Sequence, residues 1–174
     1  MVVSYASSST LTIRPATAED AEPLSAIGLT AWRKGIKPLV PAHIAKEFEV
    51  SNPFLPFLKA CHANVLVAQI GNQLAGFGAR EHADNRITDL WIAPTFEGQG
   101  LGTVLLRSLE AQITNSHALI TVTAQNTRAL TLYQHLGYHE YHREARYDAT
   151  LKTSFEKVDM RKVLRRGGIS LAKY

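Results

Sequence analysis

Apolar and polar residues along the chain alternate with two different periods, and the changes of period mark out the elements. "LTIRPAT" begins with the period-two alternation of a half-buried strand. Thr17, followed three residues later by Asp20, resembles a capping box and predicts a helix through "AEDAEPLSAIGLTAWRKGI", ended by Pro38 and Pro41. A second helical stretch runs from about His43 to Phe48, and the proline-interrupted "SNPFLPFLKAC" leads on to the strand "NVLVAQI". "GNQ" is a turn signal, so "LAGFGAREH" closes a hairpin. "RITDLWIAP" reads as a further strand that stops at Pro94. Leu101, Val104, Leu105, Ser108, Leu109 and Gln112 recur at helical spacing and form an apolar stripe. "HALITVTA" reads as a buried strand; Ala129, Leu132, Tyr133 and Leu136 then share one face of a short helix closed by Gly137. "YHEYHREARY" and "SFEKVDMRKVL" form a closing antiparallel pair. No repeat interrupts the order β α α β β β α β α β β, which is that of one mixed α/β domain around a single sheet.

Composition narrows this picture. A chain of 174 residues with 45% hydrophobic content suits one well-packed domain, assigned to residues 11–164. The serine-rich residues 1–10 have nothing to bury and read as a tail, as do residues 165–174. No long apolar run or secretory leader is visible, so the expectation is a cytoplasmic protein that does not enter a membrane. Cys61, the only cysteine, excludes an internal disulfide and a thiol-rich metal site and reads as a small core residue. The net charge of +4 is spread along the chain. Its densest basic cluster, "MRKVLRR" from Met160 to Arg166, reads as a solvated strand end, and no nucleic-acid partner is expected. His135, His139 and His142 cross from a helix end into a strand with no carboxylate to complete a ligand set, so no metal is expected.

The chemistry concentrates in "FEGQGLGT". Gly98, Gly100 and Gly102 leave the backbone bare where a helix begins, and a helix start offers unpaired N–H donors and partial positive charge to an anion. A dinucleotide-binding loop would space its glycines differently and place an acid at the end of the next strand, where Ala124 and Gln125 stand. A P-loop would need a lysine before Thr103.

"LWIAPTFEGQGLG" resembles the central (R/Q)-x-x-G-x-(G/A) motif of the GCN5-related N-acetyltransferase (GNAT) family, and "NTRALTLYQHLGY" resembles the family's second motif through Asn126, Ala129, Tyr133, Gly137 and Tyr138. The resemblance covers about Leu11 to Leu164, resting on element order alone between Trp32 and His62. It implies a mixed, mostly antiparallel central sheet flanked by helices, acetyl-CoA as cosubstrate and a primary amine as acceptor. It implies that the pantetheine arm lies along the backbone of Leu90, Trp91 and Ile92, with the Ile92 N–H stabilising oxyanion charge on the thioester carbonyl. Diphosphate oxygens would sit on the N–H groups of Gln99, Gly100, Gly102 and Thr103, with Gly98 giving clearance and Leu101 inside the motif. Asn126 would hydrogen-bond the pantetheine arm, Ala129 would belong to the cofactor site, and the Tyr133 hydroxyl would reach the sulfur and protonate the leaving thiolate. Glu97 departs from the pattern, since Arg or Gln is usual there, and its carboxylate repels a diphosphate unless it faces solvent or a basic neighbour.

A general base is not evident. Positions that hold a glutamate in parts of the family are Arg86 and Thr121 here, which leaves Glu81, Asp89 or a backbone-held water. A weak base is easier to accept for an α-amine, about one-tenth neutral at pH 7, than for a lysine, neutral to only a few parts in ten thousand. Trp32, Phe54, Phe57 and Tyr147 are candidates for an apolar acceptor pocket as well as for ordinary packing. Two other functions stay open: transfer of a longer acyl group, and a coenzyme A sensor or interaction module without catalysis. The resemblance also allows a homodimer.

Overall fold

The computed structural model describes residues 10–81 and 84–164. The proposed tails, 1–10 apart from Thr10 and 165–174, lie outside the described residues, as does the end of the basic cluster at Arg165 and Arg166. The strands are β1 (Leu11–Pro15), β2 (Val65–Ile70), β3 (Gln73–Arg80), β4 (Arg86–Ile92), β5 (His117–Thr123), β6 (His139–Asp148) and β7 (Thr153–Val163). The helices are α1 (Ala21–Gly35), α2 (Ala42–Ser51), α3 (Phe54–Cys61), α4 (Leu101–Ala111) and α5 (Thr127–His135). The strands form one seven-stranded sheet in the order β1-β2-β3-β4-β5-β7-β6, antiparallel except where β4 meets β5.

Two cores lie on the two faces. Leu24 of α1, Phe48 of α2 and Leu58 of α3 pack with Val65, Val67 and Phe77, while Leu105 and Leu109 of α4 and Tyr133 of α5 pack with Leu66, Ala68, Ile120 and Val158. Buried residues run consecutively through Val65–Ala68 because both faces of β2 are covered. The outer strand β6 is almost wholly exposed and rich in charge, which suits an edge that must not recruit another strand.

The element order contains one helix more than the pattern predicts. "SNPFLPFLKAC" folds as α3 because Pro53 precedes it and Pro56 stands in the first turn, where a missing N–H costs no helical hydrogen bond. α2 is longer than expected at both ends and stops at Asn52, at φ 38°. The predicted box at the start of α1 forms, with the Thr17 N–H donating to Asp20 Oδ2 at 2.7 Å, although Ala18–Asp20 make a 3-10 turn before the helix proper. Cys61 is half-buried, and burial followed by the charge of nearby Glu81 raises its thiol pKa, so it is not an activated nucleophile.

The feature that shapes the molecule is where β4 and β5 part. β5 pairs with β7 along its whole length, from His117–Val163 to Thr123–Lys157. β4 meets β5 only at Arg86–Leu119 and Ile87–Ile120. Beyond Ile87, β4 is held by β3 alone, out to Gly76–Ile92. The β3–β4 register shifts between Ala79 and Arg80, a bulge that bends β4 at Thr88, where its pairing with β5 ends. Gly76 permits the close approach of β3 to β4, since a Cβ there would lie 2.5 Å from the Trp91 carbonyl oxygen.

Candidate active site

A cavity of about 500 Å³ lies against the parted strands, walled by β4, the loop after it, the starts of α4 and α5, and α1. Leu90, Trp91 and Ile92 line it, with Glu97, Gly98, Gly100, Leu101, Gly102 and Thr103 from the loop and α4. Asn126, Ala129 and Tyr133 complete the set singled out from the sequence. Gln99 does not belong to the lining and is exposed. Residues not foreseen are Ala31 and Gly35 of α1 with Ile36 just after it, Phe96 of the loop, and Arg128, Thr131 and Leu132 of α5. Only tertiary packing brings α1 here, but Leu132 was within reach of pattern analysis, as an apolar residue of the Ala129–Tyr133 face that remains 37% exposed.

The β4 backbone divides its hydrogen bonds between two sides. The Ala93 N–H donates to the Ala75 carbonyl, so by strand alternation the Ile92 and Leu90 N–H groups point away from β3 into the opening. The polar backbone groups of Trp91 therefore face β3, and its contribution to the cavity is its side chain, a correction to the expectation that all three backbones serve alike.

After the Pro94–Phe96 turn, Gly98 and Gly100 adopt φ of 75° and 77°, which explains glycine at both positions by conformation. Gly102 has no such need. It lies within α4, and a Cβ there would make only ordinary contact, 3.8 Å from Ile92 Cγ1. Alanine would strengthen the helix by about 1 kcal/mol, so neither conformation nor internal packing accounts for glycine on this cavity wall. Gly100 caps α4 and its carbonyl accepts from Val104, leaving the N–H groups of the first turn without helical acceptors beside the cavity.

Glu97 has two basic neighbours, Lys34 Nζ of α1 at 2.7 Å and Arg128 Nη2 of α5 at 2.8 Å, both on Oε2. Partial burial pushes its pKa up, yet the hydrogen bonds from Arg128 and Lys34 outweigh that and hold it below its ordinary value. The carboxylate thus ties α1, the glycine loop and α5 together, and the three groups carry net positive charge.

Tyr133 is buried and stands edge-on to Tyr138, with ring centroids 5.7 Å apart. Burial, and next the negative charge of Asp89, raise its pKa well above the tyrosine range, so the hydroxyl keeps its proton at neutral pH. Asn126 is the N-cap of α5, its Oδ1 accepting from the Ala129 N–H at 3.2 Å, which leaves its side-chain NH2 for other partners.

At the closed end of the opening, where β4 and β5 still pair, the two positions without a glutamate join a polar cluster. Arg86 Nη1 donates to Thr121 Oγ1 at 3.2 Å, the Thr121 hydroxyl donates to Asp159 Oδ1 at 2.6 Å, and Arg146 Nη2 lies 2.8 Å from the same oxygen. Asp159, which the sequence reading missed, is buried; that pushes its pKa up, but its bonds to Arg146 and Thr121 prevail and keep it ionised. It is an anchor for the arginines. Of the aromatic candidates, Trp32 stacks on Phe48 at 4.0 Å and Phe54 packs against Phe48, Phe77 and Trp91, so both are core. Phe57 packs at the margin of that core, and Tyr147 is 65% exposed. His135, His139 and His142 are exposed, and among the described residues no three His, Cys, Asp or Glu side chains gather as metal ligands. No described helix is long and apolar enough to cross a membrane.

Residues 44–164 match the family model described as an acetyltransferase (GNAT) domain. No curated protein sequence matches the chain. Among solved structures, the apo form of YjaB from Escherichia coli superposes with a TM-score of 0.73 at 22% identity, covering 90% of this chain and 99% of that one. The ribosomal-protein-S18-alanine N-acetyltransferase of Escherichia coli gives 0.67 at 19% identity over 94% of this chain and 100% of its own. The PaiA N-acetyltransferase of Thermoplasma acidophilum, solved with coenzyme A, gives 0.67 at 16% identity over 89% and 99%.

Proposed function

The chain belongs to the GNAT acetyltransferase family, and from that premise we propose that it transfers acetyl directly from acetyl-CoA to a primary amine on a small molecule, peptide or protein. The observation that carries the reading is the coincidence of the parted β4–β5 pair with a cavity floored by the bare start of α4. A gap in a sheet exposes backbone donors and acceptors, and the pantetheine arm can satisfy them as a strand would. The Leu90 and Ile92 N–H groups face that gap, and the fixed Ile92 donor suits negative charge developing on the thioester oxygen. The first turn of α4, with Gly98, Gly100 and Gly102 around it, accepts the diphosphate, and Lys34 and Arg128 add positive charge at its edge.

Tyr133 supplies the proton that the departing thiolate needs. The hydroxyl is protonated at working pH, as a proton donor must be, and it donates as negative charge develops on sulfur. The half-buried Cys61 lies outside this cavity, and its raised pKa disfavours an acyl-enzyme intermediate. The test is thiol release from acetyl-CoA with a mixed panel of small amines, polyamines, aminoglycosides and peptides bearing free N-termini or lysines, followed across pH. Turnover with one class supports the enzyme and names its acceptor. Tight coenzyme A binding without turnover on any amine refutes it in favour of a binding module.

A further inference from the structure

An ammonium ion cannot attack a thioester until it loses a proton, so the amine side of the opening needs an acceptor for it. The cavity lining holds one carboxylate, Glu97, which is already paired with Lys34 and Arg128; β4, β5 and α5 flank the opening beside it. Their sequences, "RITDLWI", "HALITVT" and "TRALTLYQH", contain a single carboxylate, Asp89. It stands on the stretch of β4 that has lost its β5 partner. Its cross-strand partner Ala79 belongs to the core under α1 and α3, whereas Leu90 and Ile92 pack toward α4. Asp89 thus faces the side of the sheet opposite α4 and α5, and Tyr133 approaches from α5. Trp91 Nε1 donates to Asp89 Oδ1 at 2.8 Å, which fixes the carboxylate and leaves lone pairs on both oxygens.

We propose that Asp89 is the general base of this enzyme, taking the proton from the acceptor ammonium on one side of the sheet while Tyr133 serves the thiolate on the other. The assignment rests on the acetyltransferase reading above. An ammonium proton passes to an Asp89 oxygen, and the freed nitrogen lone pair bonds to the thioester carbonyl carbon. The carbon–sulfur bond then breaks with its electron pair going to sulfur, which takes the Tyr133 proton. The second nitrogen proton restores Tyr133, and Asp89 returns its own proton to solvent, so one amide, one thiol and one proton result.

The surroundings suit the role. Burial raises the pKa of Asp89 against the opposing bonds from Trp91 and Thr88, and the charge of Glu81, just past β3, raises it further. Of the other groups on packed elements, Cys61 of α3 lies near Glu81, and Arg33 and Lys34 of α1 are bonded to Glu49 and Glu97. Arg86 on β4 itself turns to Thr121. No cation is paired with Asp89 among the described residues.

The test is Asp89→Asn, an isostere able to keep the Trp91 bond, assayed by thiol release with acetyl-CoA and the best amine of the panel. At pH 7 kcat/KM should fall about 100-fold or more, the loss should shrink as rising pH deprotonates the amine unaided, and coenzyme A affinity should stay within about twofold. Asp89→Glu should restore part of the rate. Wild-type turnover with an unchanged pH profile in Asp89→Asn, or a parallel loss of coenzyme A binding, overturns the assignment. Absence of turnover by the wild-type protein overturns the acetyltransferase reading instead. A readout free of any acceptor remains: carboxyl-carbon NMR titration of Asp89 should place its pKa above the ordinary aspartate range, and an ordinary value refutes the proposal.

Discussion

Glu97→Gln isolates the electrostatics of the glycine loop, because it removes a charge and keeps the side chain's size. In the folded protein Glu97 neutralises one of two cations, Lys34 at 2.7 Å and Arg128 at 2.8 Å. Its replacement moves the trio from net +1 to net +2 beside a bound diphosphate. For charges about 8 Å apart, Coulomb's law gives about 0.5 kcal/mol in water and about 2 kcal/mol at an effective dielectric of about 20. The site lies between those limits, since the Glu97 side chain is 18% exposed and its partners are half or more exposed. Coenzyme A should therefore bind between about two- and thirtyfold tighter to the variant at low ionic strength. The gain should fall below about twofold near 0.5 M salt, where the Debye length is only about 4 Å. Lost ion pairs should cost less than about 1 kcal/mol of folding stability. Isothermal titration with coenzyme A over a salt series measures the effect, and pantetheine, which lacks the diphosphate, is the control that should not respond. Equal or weaker coenzyme A binding at low salt would show that Glu97 organises the loop more than it repels the ligand.

Gly102→Ala should move two observables in opposite directions, raising the melting temperature by about 2 °C through helix propensity while weakening coenzyme A binding at least about tenfold; unchanged affinity would exclude this wall as the diphosphate seat. Tyr133→Phe preserves the edge-on packing against Tyr138, so kcat should drop by about 100-fold or more with coenzyme A affinity nearly intact, and a matching loss of affinity would assign the hydroxyl a structural part. Asp20, bonded by Arg14 at 2.7 and 2.8 Å, has its pKa lowered from 3.8 to about 2 by that bond, against the opposing effect of burial. Its folded pKa lies below the unfolded one, so its stabilisation of about 1–2 kcal/mol is present above pH 4 and lost as pH falls toward 2. Melting curves of wild type and Asp20→Asn should accordingly converge in that window, and a gap constant with pH would refute the linkage.

Much of this protein was written in local pattern. Alternation marked the strands, the Thr17–Asp20 box marked the start of the first helical segment, and the glycine spacing located the start of α4, while the resemblance of two motifs to the GNAT family pointed to the cavity residues on β4 and α5. These are short-range properties, decided by backbone conformation and by the period at which apolar side chains share a face. Where the pattern failed, the deciding contacts were distant in sequence. α3 was hidden because its prolines look like breakers until their places in the first turn are known. Glu97 looked like a liability because Lys34, 63 residues earlier, and Arg128, 31 residues later, reach it only in the folded chain. The same holds for the open pair of β4 and β5. No residue of β4 announces that it will lose its neighbour after Ile87; that follows from the bulge at Thr88 and from β7 holding β5 along its length. The sequence by itself determined which groups are available for chemistry, whereas the gap that brings Ile92 and Tyr133 to one cavity was decided by strand pairing, a long-range balance of hydrogen bonds that no local window contains.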